Sequence, residues 1–180
     1  MVSHTLVDRL AEFLPVESRD AVTAGVGVAA LMTGQKMTAV ALVGKGLFSM
    51  EQQWRSRHPE FHGGARERWS EAKRHYTETH QNPTNRALHM AGLPLIVGGT
   101  LGLLAAPRYS PPWWVAAGSF ASGWGLNLAG HSVYEKNSPS IQDDPLALLA
   151  GPVGDTLEMA QHLWEMRPRR ASERTVNVQA

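Results

Sequence analysis

The chain has 180 residues, long enough for one domain with a sizeable core and short for two. Its 17 Lys and Arg nearly balance 16 Asp and Glu, and no basic tract is interleaved with aromatics, so nothing in the charge favours nucleic acid as a partner. The lack of cysteine excludes a disulfide framework, a thiolate zinc site, an iron–sulfur cluster and a cysteine nucleophile, which leaves any metal to imidazole and carboxylate and gives weight to the eight histidines.

The start of the chain is polar and runs into acidic residues and Pro15, with no basic n-region or cleavage site, so a cytoplasmic N-terminus is expected. Leu6, Leu10, Phe13 and Leu14 fall at helical spacing and predict a short amphipathic helix ending at Pro15. Residues 21–33 and 37–50 are apolar runs rich in small residues, separated by Gly34-Gln35-Lys36. Each is shorter than the roughly 20 residues of a spanning helix, and together they predict a tight helical hairpin. From Glu51 to Thr79 the chain is charged, and Glu67, Glu71, Lys73, Arg74 and Glu78 predict a solvated helix.

Ala87–Ala106 is the clearest candidate span, since it carries no charged or strongly polar side chain after His89. A second candidate, Pro112–Gly130, opens with Trp113-Trp114, a pair suited to a membrane interface, and the turn between the two is expected at Arg108–Pro111. Outside Lys36, Lys45 and Arg108, every Lys and Arg lies in residues 1–20, 51–86 or 131–180. Two hairpins entering from one face would put all three basic regions on the cytoplasmic side. The expected fold is therefore all-α: a membrane-associated helical bundle of two hairpins with a polar metal site at its cytoplasmic face. A soluble helical bundle is the alternative, and a detergent requirement separates the two. Residues 1–70 read as an N-terminal extension, 71–165 as the catalytic domain and 166–180 as a disordered tail.

Two motifs carry chemistry. In the first, from Tyr76 to His89, Pro83 disfavours helical geometry at Asn82 and suits a first turn, so one helix stops near His80 and another starts with Asn82 as N-cap. His89 then shares a face with Asn85 and Arg86, and the bend can turn His80 toward it. The same residues would also suit a helix cap and a hydrogen-bonded interfacial histidine. In the second motif, Asn127, His131 and Glu135 follow i, i+4, i+8 spacing and would form one stripe of a continuous helix. Imidazole and carboxylate one turn apart suit iron or zinc, although Glu135 could equally pair with Lys136 at the surface. The hairpin brings the two motifs to one membrane face. Glu158 and His162 form a reserve i, i+4 pair, whereas His4, His58, His62 and His75 are not expected at the site. No serine elbow, Walker-type loop or dinucleotide fingerprint is present.

The run His80-x-Asn82-Pro83-x-Asn85-Arg86-x-x-His89-x-x-Gly92-x-Pro94-Leu95, followed by Gly130-His131-x-x-Tyr134-Glu135-Lys136-x-x-Pro139, resembles the Mpo-type family of 2-hydroxy fatty acid dioxygenases. It covers about residues 76–153, and departs from the family pattern at Asn127, where Gln is common, and at Ser140, where Ala is usual. The resemblance implies an Fe(II) enzyme that uses O2 to shorten 2-hydroxy fatty acids by one carbon. His80, His89 and His131 are then the expected iron ligands, with Glu135 as a fourth ligand or as an orienter of an imidazole. Arg86 is the expected clamp for the substrate carboxylate, and Asn127 a further site residue. A zinc-dependent lipid hydrolase on the same ligands and a noncatalytic membrane scaffold are the alternatives.

Overall fold

In the computed structural model, residues 16–136 and 143–166 are described, and six helices carry them, with no strand among them. They are α1 (Val16–Met32), α2 (Lys36–Arg57), α3 (Ala65–Thr79), α4 (Pro83–Ala105), α5 (Pro111–Ala129) and α6 (Ala147–Glu165). A π-helical turn, Gly130–Glu135, extends α5. The expected helix at 6–14, Pro139 and the tail from Arg167 lie outside the described residues.

The two apolar runs at 21–33 and 37–50 do become α1 and α2, and the turn between them has a local cause. Gly34 takes a left-handed conformation (φ 76°), which a Cβ would disfavour. The N–H groups of Gly34 and Gln35 then donate to the carbonyls of Leu31 and Ala30 and close the helix end. α1 and α2 pack antiparallel, with Gly46 against Ala24 and Asp20, and Gly27 against Val43. α2 runs well past the expected end of its apolar stretch, so residues 51–79 are not a single solvated segment. The polar last turns of α2 are held by Trp54, which is buried, with His58 stacked on it at 4.3 Å between centroids.

α3 is charged on one face as expected: Arg74 pairs with both Glu71 and Glu78. The sequence gives no warning of Arg68, which is 2% exposed. Its guanidinium lies 3.6 Å above the Trp54 ring, donates to both oxygens of Glu51 at 3.0–3.1 Å, and reaches Asp144 at 2.6 and 2.9 Å. Asp144 in turn accepts from the N–H groups of Leu146 and Ala147 at the start of α6. One buried cation thus ties α2 and α3 to the origin of α6, and its two carboxylates offset the cost of burying it.

α4 and α5 pack antiparallel along a seam of small residues. A Cβ on Gly92 would stand 2.8 Å from the Gly123 carbonyl oxygen, and one on Gly99 would stand 2.6 Å from the Phe120 nitrogen. Backbones approach this closely only where side chains are absent. At the far end of the seam, Leu103, Trp113, Ala117 and Phe120 form a core with Ala30, Leu31 and Ala39 of the first pair. Lys36 Nζ donates to the Ala106 carbonyl at 2.7 Å there, so both inter-helix turns lie at the same end of the molecule. At the opposite end α3 and α6 cover the start of α4.

Among the described residues α4 is the one helix long and apolar enough to cross a membrane. The second candidate, Pro112–Gly130, falls short of that mark, since α5 contains Ser119, Ser122, Asn127 and three glycines.

Candidate metal centre

His80 ends α3, His89 lies in the second turn of α4, and His131 lies in the π-turn. The bend that joins the first two is built as the sequence suggests. Asn82 caps α4, its Oδ1 accepting from the N–H groups of Thr84 and Asn85, with Pro83 in the first turn. His80 sits outside both helices and swings over the N-terminal turns of α4.

The three imidazoles form a nearly equilateral triangle. Ring centroids are 4.9 Å apart for His80 and His89, 4.8 Å for His80 and His131, and 4.9 Å for His89 and His131. One nitrogen from each lies within 4.8 Å of the other two, and the residues are only 3%, 3% and 5% exposed. Among the described residues this is the group of side chains that could hold a metal ion. His80 Nδ1 is 3.0 Å from the Tyr76 carbonyl and His89 Nδ1 is 2.9 Å from the Asn85 carbonyl. A proton on each Nδ1 donates to those oxygens, leaving Nε2 with its lone pair free to face the centre. Burial, with help from the two neighbouring rings, pushes the His80 imidazole down to about 4. At neutral pH it is uncharged, the form that binds metal. Three buried imidazoles, two of them oriented from behind, fit a divalent first-row metal.

Glu135 does not join this group. Its carboxylate accepts from the backbone N–H of Gln81 (2.8 Å) and Asn82 (3.0 Å) and from Asn85 Nδ2 (3.2 Å). Burial opposes its charge, yet the Gln81 and Asn82 amides and the Asn85 side chain outweigh it and hold the carboxyl below the usual range. The i, i+4, i+8 stripe is also not a continuous α-helix. The π-turn closes i→i+5, so Glu135 is carried round to the bend rather than into the triangle. Gly130, where the turn begins, abuts Asn85 Oδ1 so closely that a Cβ has no room.

Arg86 presents the two parallel donors expected of a carboxylate clamp, but to Asp155 of α6: Nε lies 2.8 Å from Oδ2, and Nη2 pairs with Oδ1. Asn127 is buried one turn before His131 against Gly92, and its Oδ1 has no hydrogen-bond partner. The Oδ1 of Asn85 is likewise unpartnered. The reserve pair is elsewhere: Glu158 forms an ion pair with Lys73 at 2.5 Å, and His162 is exposed. His58 bonds back to the Trp54 carbonyl, and neither His62 nor His75 approaches the triangle. Tyr76 and Asp155 were not singled out from sequence. Tyr76 at i−4 from His80 was the available signal for the first, whereas nothing local marks Asp155.

Neither the curated proteins nor the solved structures give a match. The family model described as "2-hydroxy-palmitic acid dioxygenase Mpo1-like" matches residues 67–163, more than half of the chain and all three histidines. The chain belongs to the Mpo1-like family.

Proposed function

We propose that the protein is an Fe(II)-dependent dioxygenase that shortens 2-hydroxy fatty acids by one carbon at a membrane. The observation that carries this reading is the triangle of buried imidazoles, two of them locked through Nδ1, in a chain of this family. His80, His89 and His131 would hold the metal. Bound iron would supply the oxygen-activating redox chemistry that imidazole and carboxylate side chains lack. A 2-hydroxy acid suits a three-imidazole site because its carboxylate and hydroxyl can bind side by side.

The protein's residues then divide the remaining work. Glu135 holds the Gln81-Asn82 turn, and with it the position of His80. Asn127 offers a buried, unpartnered oxygen one turn from His131, suited to accept from a substrate hydroxyl. Arg86 contributes through Asp155, its donors being committed there.

A membrane setting is supported by the apolar surface of both helix pairs. Met37 and Phe48 of α2, Leu101 of α4, and Trp114 and Val115 of α5 are 59–82% exposed. In this reading the turns at Lys36 and Arg108 point away from the cytoplasm, and the end carrying α3 and the histidines faces it. The acyl chain would reach the site from the lipid.

The test is anaerobic purification in mild detergent, elemental analysis, and incubation with 2-hydroxypalmitate with and without O2. The expected outcome is iron in the protein and oxygen-dependent release of the acid one carbon shorter. Undiminished turnover of a lipid by a zinc-loaded, oxygen-free sample would assign the same ligands to a hydrolase.

A further inference from the structure

Tyr76 is wedged between the metal centre and α6. It is 1% exposed. One face of its ring stacks on His80, with centroids 4.0 Å apart and planes 21° from parallel. Against the ring lies Gly151 of α6, where a Cβ would overlap it. Its carbonyl accepts from His80 Nδ1, so the same residue fixes that imidazole by face and by edge. The Tyr76 hydroxyl donates to Asp155 Oδ2 at 3.4 Å. Asp155, itself buried, is anchored by both oxygens to Arg86, one turn before His89. A continuous set of contacts therefore runs from α4 through α6 to α3 and ends on the His80 ring.

Rotation of an imidazole about its Cβ–Cγ bond moves Nε2 off the common centre even where the backbone stays put. Metal-binding histidines are held against this by partners behind them. The His80 ring can turn only if the Tyr76 ring gives way, and that ring is confined by Gly151 and by Asp155. We propose that Asp155 and Tyr76 act as a positioning pair for the metal centre: Asp155, anchored by Arg86, holds the Tyr76 hydroxyl, and the Tyr76 ring keeps His80 turned toward His89 and His131. This rests on the three histidines being metal ligands. It also makes α6 part of the centre, although α6 supplies no ligand.

Cobalt(II) titration of the metal-free, detergent-purified chain tests it, with visible absorption reporting affinity and ligand geometry. Tyr76→Phe removes a hydroxyl and leaves the packing, so its unfolding temperature should stay close to wild type. Its cobalt affinity should fall about 10-fold, with a displaced absorption band. Asp155→Asn should fall by a similar factor, and the double variant should be no weaker than the weaker single one, because both act through one path. Should Asp155→Asn fail to fold, Tyr76→Phe alone decides. Wild-type cobalt affinity and spectrum in Tyr76→Phe would overturn the positioning role, as would fully additive losses in the double variant. A wild-type chain that takes up no cobalt would overturn the metal reading itself, and the pair with it, so the two failures are distinguishable.

Discussion

Replacing Glu135 by Gln probes how the bend between α3 and α4 is held. The carboxylate accepts three N–H groups at 2.8–3.2 Å, two from the backbone of Gln81 and Asn82 and one from Asn85. Hydrogen bonds to a charged acceptor contribute about 1.5–3 kcal/mol each and neutral ones about 0.5–1.5. The amide keeps one acceptor oxygen and turns a donor toward N–H groups that need an acceptor. With two bonds weakened or lost, and the total reduced by partial exposure of Glu135, the bend loses about 1–2 kcal/mol. His80 directly precedes Gln81 in the chain, so a looser bend should appear as roughly 10-fold weaker metal binding. The assay is metal titration of Glu135→Gln beside its thermal unfolding. Iron affinity and stability both equal to wild type would refute this role, and complete loss of iron from a folded variant would make Glu135 a direct ligand.

Acidity should act on the metal-free protein through His80. Folding lowers its imidazole from 6.5 to about 4, so the unfolded chain binds the extra proton between those values. The contribution is present above pH 6.5 and is lost as pH falls toward 4, amounting to about 2 kcal/mol once residual screening is allowed for. Across pH 7.5 to 4 the unfolding midpoint of the wild type should fall relative to that of His80→Phe, and parallel curves would contradict it. Gly151→Leu should destabilise by about 1–3 kcal/mol by driving a side chain into the Tyr76 ring, read by thermal unfolding; an unchanged midpoint would show that α6 does not seat there. Arg68→Ala leaves Asp144 buried without its cation, while Glu51 keeps Arg55, and should cost about 3–5 kcal/mol, with the cobalt affinity of the folded fraction near wild type. His58→Ala should leave iron content untouched, and a drop in iron would reopen the ligand assignment.

The parts of the fold that announced themselves were those with local causes. Gly34 between two apolar runs marks a turn because a left-handed residue is needed there, and Asn82-Pro83 marks a helix start because one residue caps and the other pre-sets the first turn. The three histidines followed from that bend together with the α4–α5 pairing. The parts that stayed hidden depend on residues distant in sequence. Arg68 looks like any other charge on a polar helix, and its burial requires Glu51 and Trp54 of α2 and Asp144 at the start of α6. Helical spacing put Glu135 beside His131 because it assumes 3.6 residues per turn, which the π-turn breaks. Arg86 was read as a free clamp since Asp155, 69 positions away, is invisible to any local pattern.

The most direct test is the iron content of anaerobically purified wild type beside His80→Ala, His89→Ala and His131→Ala, each checked for helicity. One iron per chain is expected in the wild type and almost none in any single variant, with combined variants scarcely worse because the three ligands act as a unit. A folded His131→Ala protein that kept its full iron would show that the two motifs do not share a metal.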